Sequence, residues 1–134
     1  MFLTLFTIIS LALSGQSSMS GFERKSIFFG GGNWYVDPEQ RKELFDWIDA
    51  VPNLHEFEIV IQSHTDNIGS KEYNSWLSQM RSESVFQLLQ SHDIPAEWLF
   101  IRDYGEENPD FDNSTLMGRL SNRRVDVILI PPSS

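Results

Sequence analysis

The stretch Phe57-Glu58-Ile59-Val60-Ile61-Gln62-Ser63-His64-Thr65-Asp66 decides the fold of this chain. Its nearly continuous apolar run, rich in β-branched residues, is typical of a central strand, and a polar loop follows. The segment from about Ser70 to Ser91 then carries inward residues every three or four positions, which predicts a helix. The residues of that inward stripe are Asn74, Leu77, Ser78, Arg81, Val85, Leu88 and Leu89. Because only its C-terminal half is apolar, the helix is expected to pack with that end and to present a site with the other.

Asp66 and Arg81 are the most informative pair in this strand-loop-helix unit. A carboxylate can bind an ammonium group while a guanidinium binds a carboxylate through two parallel hydrogen bonds, so the pair is suited to a zwitterion. Asp66 can equally act as a helix N-cap or close an Asx-turn. Arg81 can equally extend to the surface or form an internal salt bridge with Asp66.

The rest of the chain predicts further strands and helices around this unit. The order is β-α-β-α-β-β, with a short helical turn before the last strand, and two helices on one face of a mixed sheet make an α+β two-layer sandwich. The predicted elements outside the central unit are a strand at Lys25–Phe29, a helix that follows Tyr35 or Asp37 and ends at Pro52, a strand at Leu99–Tyr104, a turn at Leu116–Asn122 and a strand at Val125–Ile130.

Composition excludes several classes of function. The 134 residues carry a formal net charge of −9, whereas nucleic-acid binding needs clustered Lys and Arg, so no nucleic-acid partner is expected. The sequence has no cysteine, which excludes disulfides, thiolate metal sites, cysteine nucleophiles and thiol-linked lipid anchors. The three histidines have no metal-binding spacing, so neither a metal nor a cofactor is expected.

The N-terminal segment predicts export. Met1 to Leu13 is apolar but shorter than the about 20 residues of a membrane-spanning helix, and Ala12-Leu13-Ser14 fits a small-x-small cleavage site. We therefore expect a signal peptide at 1–17, a flexible linker at 18–24 and a single domain at 25–131. The segment before the apolar run lacks Lys and Arg, which leaves an uncleaved anchor or a misassigned start as alternatives.

Three segments in order and at fixed spacing give the chain a family resemblance. They are Ser63-His64-Thr65-Asp66 with Gly69, then Asn74 with Leu77-Ser78 and Arg81, and finally Asn122-Arg123-Arg124-Val125. Over roughly Ser26 to Ile130 the chain resembles the OmpA-like domain family, the C-terminal domain of OmpA, MotB and Pal. The resemblance implies the same two-layer architecture, a periplasmic location associated with the outer membrane, and noncovalent binding of peptidoglycan.

The resemblance also implies roles for individual residues. Asp66 would pair with the side-chain ammonium of diaminopimelate in the stem peptide, and Arg81 would bind its carboxylate. Asn74 and Thr65 are candidates for hydrogen bonds to the ligand or to Asp66, with helix capping as the alternative for Asn74. Leu77 would form an apolar wall, or simply belong to the core.

Two positions depart from the family pattern. Ser63 stands where the family usually has glycine, and the loop after the first strand is Gly30-Gly31-Gly32-Asn33 where the family often has Asp or Asn near a Phe. Backbone N–H groups at Gly30 and Gly31 can still bind a carboxylate, as in anion nests, and Asn33 can supply a side chain. Arg123 is expected to line the site or to support the loops, and at least one of Arg123 and Arg124 is expected to be structural.

The function predicted from these observations is tethering at the cell wall through the stem peptide, without catalysis. The alternative is an envelope adaptor that has lost wall binding and binds a protein partner. A wall hydrolase is the enzymatic rival, since His64, Asp66 and Glu106-Glu107 can titrate, but no nucleophile is placed beside a base. The remaining aromatic residues of note, Trp34, Tyr35 and Trp98, are expected to pack in the core rather than to form an exposed contact.

Overall fold

A mixed β-sheet organises the molecule. The computed structural model describes residues 22–103 and 113–132, and over these residues the strands are β1 (Arg24–Phe28), β2 (Glu58–His64), β3 (Leu99–Asp103) and β4 (Arg124–Ile130). Their order in the sheet is β1-β4-β2-β3, with β2 parallel to β3 and β4 antiparallel to both β1 and β2. Strand β2 is therefore central, as its apolar sequence predicted.

Three α-helices accompany the sheet in the described residues: α1 (Pro38–Asp49), α2 (Lys71–Ser91) and α3 (Leu116–Asn122). Each begins at a side-chain cap, because Asp37, Ser70 and Thr115 each accept a hydrogen bond from a backbone N–H three residues ahead. Single turns of 3-10 helix precede β2 at Leu54–Glu56 and β3 at Ala96–Trp98.

The core lies between the sheet and the two longer helices. Alternate strand residues pair across the sheet, Ile61 with Val127 and Ile27 with Val125, and so point to one face. Leu44 of α1 and Leu89 of α2 are fully buried against that face. The predicted α+β sandwich, with helices on one face of a mixed sheet, is confirmed.

The predicted boundaries differ only slightly from the observed ones. Strand β2 continues through His64, beyond the predicted end at Gln62, because its polar final residues are also buried between neighbouring strands. Helix α2 follows the cap at Ser70 and ends at Ser91, as predicted. The predicted signal peptide and the Glu106-Glu107 segment lie outside the described residues, so both remain predictions.

Candidate functional site

Asp66 lies just beyond the carboxyl end of β2 and is largely buried, with 6% of its surface exposed. One carboxylate oxygen, Oδ1, accepts a hydrogen bond from the backbone N–H of Ile68 at 3.1 Å, which closes an Asx-turn. The other oxygen, Oδ2, accepts from Nε of Arg123 at 2.5 Å. The Asx-turn alternative is thus present, whereas the helix cap is Ser70.

Arg81 is buried on the inner side of α2, with 1% of its surface exposed. Its Nε donates to the carbonyl of Asn33 at 2.8 Å and its Nη2 donates to the carbonyl of Gly30 at 2.9 Å. The guanidinium carbon also lies 5.1 Å from the centre of the Phe29 ring. The predicted alternatives for Arg81, a surface position and a salt bridge with Asp66, are wrong, because the β1–α1 loop covers Arg81 and Asp66 pairs with Arg123.

Burial sets the electrostatics of this guanidinium. Desolvation lowers the pKa of Arg81 to about 10, well below the usual value of an arginine. The charge of Arg123 lowers this pKa further, whereas the nearby carboxylate of Asp66 raises it. The side chain still carries a full charge at neutral pH, and it is therefore a cation held in a poorly solvated position.

The Gly30-Gly31-Gly32-Asn33 loop connects β1 to α1 across both arginines. The backbone N–H of Asn33 donates to the carbonyl of Gly30 at 3.2 Å, and a Cβ added to Gly31 would lie 3.6 Å from the Arg123 guanidinium. The carbonyls of Gly30 and Asn33 point to Arg81, since a buried guanidinium requires acceptors. The side-chain oxygen of Asn33 accepts from the backbone of Tyr35, so Asn33 reaches Arg81 through its backbone.

Gln40 fixes the two ends of this loop to each other. Its side chain forms two hydrogen bonds with the backbone of Phe28, to the N–H at 2.7 Å and the carbonyl at 2.8 Å, much as a neighbouring strand would. It also donates to Asp37, the cap of α1, at 2.7 Å. Gln40 is not identifiable from the sequence, because a glutamine in the first turn of a helix carries no signal for a contact with a strand distant in the sequence.

The remaining predicted residues lie on the same strand-helix unit. Thr65 follows β2, while Asn74 and Leu77 lie on the buried side of α2, all with at most 3% of their surface exposed. Asn74 is in the first turn of the helix, and its side-chain oxygen lies near Gly69. Leu77 packs as a buried apolar residue beside Ser78.

Unpaired polar atoms are concentrated in this unit. Among the described residues, buried polar atoms without a hydrogen-bond partner include Oε1 of Gln62, Oγ1 of Thr65, Oγ of Ser78 and Nη1 of Arg81. Native proteins pair the large majority of buried polar groups, so these unpaired atoms on β2, its loop and α2 make this unit a candidate ligand site. Ser78 was predicted to face inward but was not identified as a site residue.

The two consecutive arginines have different partners. Arg123 contacts Asp66 and the glycine loop, and so belongs to the site. Arg124 is buried in the sheet, where its Nε donates to Asp126 at 3.0 Å, which fulfils the expectation that at least one of the two is structural. His64 is also buried in the sheet, with Nε2 3.1 Å from the side-chain nitrogen of Gln62.

Two of the aromatic residues predicted for the core are at the surface. Trp34 is 39% exposed and Tyr35 is 66% exposed, because the loop that carries them runs over Arg81 on the outside of the molecule. Trp98 does pack against the core. Within the described ranges 22–103 and 113–132, no cluster of three or more His, Asp or Glu side chains is placed to hold a metal ion.

The fold and this site define a class of protein: a small α+β domain with a carboxylate after its central strand and a buried arginine on the next helix. The model of the OmpA family matches residues 28–123, and the chain belongs to that family. The family predicted from the three sequence segments is therefore confirmed.

Curated relatives come from bacterial envelope and motility systems. The chain is 33% identical over 103 residues to the outer-membrane lipoprotein YfiB of Pseudomonas aeruginosa, covering 77% of this chain and 61% of that protein. It is 34% identical over 116 residues to motility protein B of Bacillus subtilis, covering 81% of this chain and 43% of that protein. The matched region thus spans only part of these relatives, about three fifths or less of their length.

Solved structures give the same fold. The peptidoglycan-associated lipoprotein of Burkholderia pseudomallei superimposes with a TM-score of 0.72 at 25% identity, covering 78% of this chain and 89% of that one. A MotB-like protein of Desulfovibrio vulgaris gives a TM-score of 0.73 at 21% identity, covering 99% and 89%. Across the part of the chain that the structure describes, no helix has the length and apolarity needed to span a membrane.

Proposed function

We propose that this domain binds peptidoglycan noncovalently through the diaminopimelate residue of the stem peptide. In this proposal the domain lies in the periplasm, acts as a tether or scaffold at the cell wall, and catalyses no reaction. Membership of the OmpA family supports this proposal. A similar structure is that of a protein named for its association with peptidoglycan. The observation that carries the proposal is the buried, unpaired Nη1 of Arg81 close to the carboxylate of Asp66.

Asp66 has the capacity to accept an ammonium group. A carboxylate offers about four lone-pair directions, and the contacts with Ile68 and Arg123 use two of them. The other two are free to accept hydrogen bonds from the ammonium of diaminopimelate. Arg123 then keeps Asp66 charged and oriented, and acts as a positioning residue.

Arg81 supplies the complementary group for the ligand carboxylate. Of its five N–H donors, two are used by the carbonyls of Asn33 and Gly30, and those on Nη1 are unpaired. Because the side chain is only 1% exposed, the glycine loop has to move when the ligand enters. A carboxylate that replaces the loop carbonyls also returns a full negative charge to a desolvated cation, which favours binding.

Sedimentation with purified peptidoglycan sacculi tests this proposal. Asp66→Asn keeps the shape and the Ile68 contact of the side chain but removes its charge, and Arg81→Met removes the guanidinium. Each charge-assisted contact contributes about 1.5–3 kcal/mol, so each variant should bind at least about tenfold more weakly than wild type. Matched controls are Asp46→Asn and Arg41→Met on the exposed side of α1, which should bind like wild type.

Each outcome of this experiment has a distinct meaning. Wild-type protein that remains in the supernatant would contradict wall binding and favour the adaptor alternative with a protein partner. Equal sedimentation of wild type and both site variants, with folding verified by circular dichroism, would place the wall contact elsewhere on the domain. Release of soluble fragments from sacculi by the wild-type protein would contradict the non-enzymatic part of the proposal.

A further inference from the structure

Gln40 binds both ends of the β1–α1 loop, residues 29–37, which runs over Arg81. Its side-chain oxygen accepts a hydrogen bond from the backbone N–H of Phe28 at 2.7 Å. Its side-chain nitrogen donates to the carbonyl of Phe28 at 2.8 Å and to the carboxylate of Asp37 at 2.7 Å. The amide therefore uses its oxygen and both N–H groups to join the last residue of β1 to the cap of α1.

The middle of the loop is held by Arg81. The carbonyl of Gly30 accepts from Nη2 of Arg81 at 2.9 Å and from the backbone N–H of Asn33 at 3.2 Å, so a turn is closed at the guanidinium. The carbonyl of Asn33 accepts from Nε of Arg81 at 2.8 Å. Each carbonyl occupies a donor that a ligand carboxylate could use, and the loop therefore competes with an anion for Arg81.

Trp34 gives the closed loop a further contact, with α2. Its ring meets that of Trp76 edge to face, with ring centres 5.2 Å apart and planes at 79°. Both rings are partly exposed, at 39% and 43%, so they can separate without opening the core. Because the surroundings of two tryptophans change when the loop moves, its opening has a fluorescence signal.

We propose that Gln40 is a positioning residue that holds the β1–α1 loop closed over Arg81, so that the loop carbonyls compete with a ligand carboxylate for the guanidinium. The inference rests on the proposed function for the choice of ligand, whose carboxylate is that of diaminopimelate. A ligand that binds only the open form has its apparent affinity reduced by the fraction of molecules that are open. Gln40 thus sets the affinity of the site without contacting the ligand.

The contacts of Gln40 allow its side chain to be removed without dismantling the elements on either side. Phe28 also pairs with Arg124 in the β1–β4 ladder. The cap of α1 keeps its hydrogen bond from the backbone N–H of residue 40 to Asp37, at 2.9 Å, whatever the side chain is. A substitution at position 40 therefore releases the ends of the loop selectively.

Chemical modification of arginine tests the closed loop without any ligand. Phenylglyoxal reacts with accessible guanidinium groups, and mass spectrometry of digested protein gives the rate at each arginine. In Gln40→Ala, Arg81 should react at least about threefold faster than in wild type, because more molecules are open. Arg102, exposed on β3, and Arg124, buried in the sheet, are internal references that should react at the same rates in both proteins.

Stopped-flow fluorescence with a soluble stem peptide that contains diaminopimelate measures the effect on binding. Gln40→Ala should bind about three- to tenfold more tightly than wild type, through faster association, with a dissociation rate within about twofold. The reason is that the loop is already displaced in the complex. Gln40→Glu keeps the acceptor for Phe28 but loses both donors, so it should behave like Gln40→Ala. A purely structural role for Gln40 would weaken binding instead.

Gln87→Ala is the matched control, since it removes an exposed glutamine of α2 and should behave like wild type in both experiments. An unchanged modification rate of Arg81 in Gln40→Ala would overturn the proposal, and so would equal acceleration at Arg81 and Arg124, which indicates general unfolding. Weaker peptide binding by Gln40→Ala would also overturn it. If Arg81 alone reacts faster but no protein binds the peptide, Gln40 does hold the loop and the diaminopimelate assignment fails.

Discussion

Arg81 shows how a single buried charge is kept in this domain. The guanidinium donates to two loop carbonyls, and the nearby carboxylate of Asp66, itself paired with Arg123, favours its charged form. Carbonyl groups compensate a desolvated cation less completely than a carboxylate does, which is why the pKa of Arg81 falls to about 10. The domain therefore keeps this buried charge at some expense in stability.

The depressed pKa of Arg81 predicts a dependence of stability on pH with a definite sign. Above about pH 10 the folded chain loses a proton that the unfolded chain, with its higher arginine pKa, still binds, so the free energy of unfolding contributed by this group rises with pH. We expect the free energy of unfolding of wild type, minus that of Arg81→Met, to increase by roughly 1 kcal/mol from about pH 9 to about pH 11. Urea unfolding of both proteins across this range measures the difference.

Subtracting the free energy of unfolding of the variant from that of wild type removes the contributions of lysine and tyrosine side chains, which titrate in the same pH range in both proteins. A difference that stays constant with pH would mean that Arg81 is not desolvated. At neutral pH the two proteins should differ in stability by no more than about 1 kcal/mol, because loss of the loop contacts is offset by relief of the desolvation.

The sequence indicated candidate site residues, whereas it did not indicate their contacts. Asp66, Arg81 and Asn74 were identifiable because polar residues at these spacings along a strand-loop-helix unit can be recognised in the sequence itself. The carbonyls of Gly30 and Asn33 were not identifiable, because their orientation depends on backbone angles that glycine leaves open. The pairing of Arg123 with Asp66 joins residues 57 positions apart and depends on the completed sheet.

At the scale of elements, the loop between β1 and α1 covers Arg81 and carries the exposed rings of Trp34 and Tyr35. Its ends are joined by Gln40, and its middle is formed by three glycines of unequal importance. Gly32 adopts a positive φ of 69°, and a Cβ there would lie 3.2 Å from the Tyr73 hydroxyl. Gly31 has neither constraint.

This difference predicts unequal effects of two matched substitutions. Gly32→Ala should lower the free energy of unfolding by about 1–2 kcal/mol, because a side chain is strained in the left-handed region. Gly31→Ala should change it by less than about 0.5 kcal/mol, since its Cβ would make ordinary van der Waals contact with Arg123. Chemical denaturation of both variants measures the two values. Similar values would indicate that the loop does not hold the conformation described for Gly32.

Helices and strands were predicted correctly where the hydrophobic periodicity is strong. The burial of side chains was predicted wrongly in a loop that has no such periodicity. The β2–α2 unit follows a strand pattern and then a helix pattern, and both were identified from the residues alone. Trp34 and Tyr35 lie in a loop without periodicity, so the general tendency of aromatic residues to be buried placed them in the core incorrectly. Their exposure follows from the position of the loop above Arg81, a tertiary feature.

At the scale of the molecule, the sheet has a second, polar buried layer on the face away from the core. Asp126 is fully buried there and pairs with Ser26 at 2.6 Å, Arg24 at 3.2 Å and Arg124 at 3.0 Å. These residues come from β1 and β4, so the network holds the two strands in register. A structural role for Arg124 is predictable from the sequence, whereas its partner, Asp126, is not.

Removing the carboxylate should therefore destabilise the whole domain. Asp126→Ala leaves the buried guanidinium of Arg124 without its carboxylate, and we expect a loss of about 3–5 kcal/mol in the free energy of unfolding. Glu43→Ala, which breaks the exposed pair with Lys25, is the control and should cost less than about 1 kcal/mol. Urea unfolding monitored by tryptophan fluorescence compares them, and equal losses in the two variants would argue against a stabilising network.

The position of β4 in the sheet has a consequence for how the domain is made. This strand, Arg124–Ile130, is the last of the four described strands along the sequence yet lies between β1 and β2, and contacts such as Arg24–Asp126 span 102 positions. During synthesis β1 therefore has no neighbour in the sheet until β4 has been made, and pairing over such a separation is slow. Nascent chains that stall before β4 would expose two unpaired strand edges, which makes them substrates for chaperones and proteases. Of the four described strands, the last one made is the one that joins β1 to the rest of the sheet.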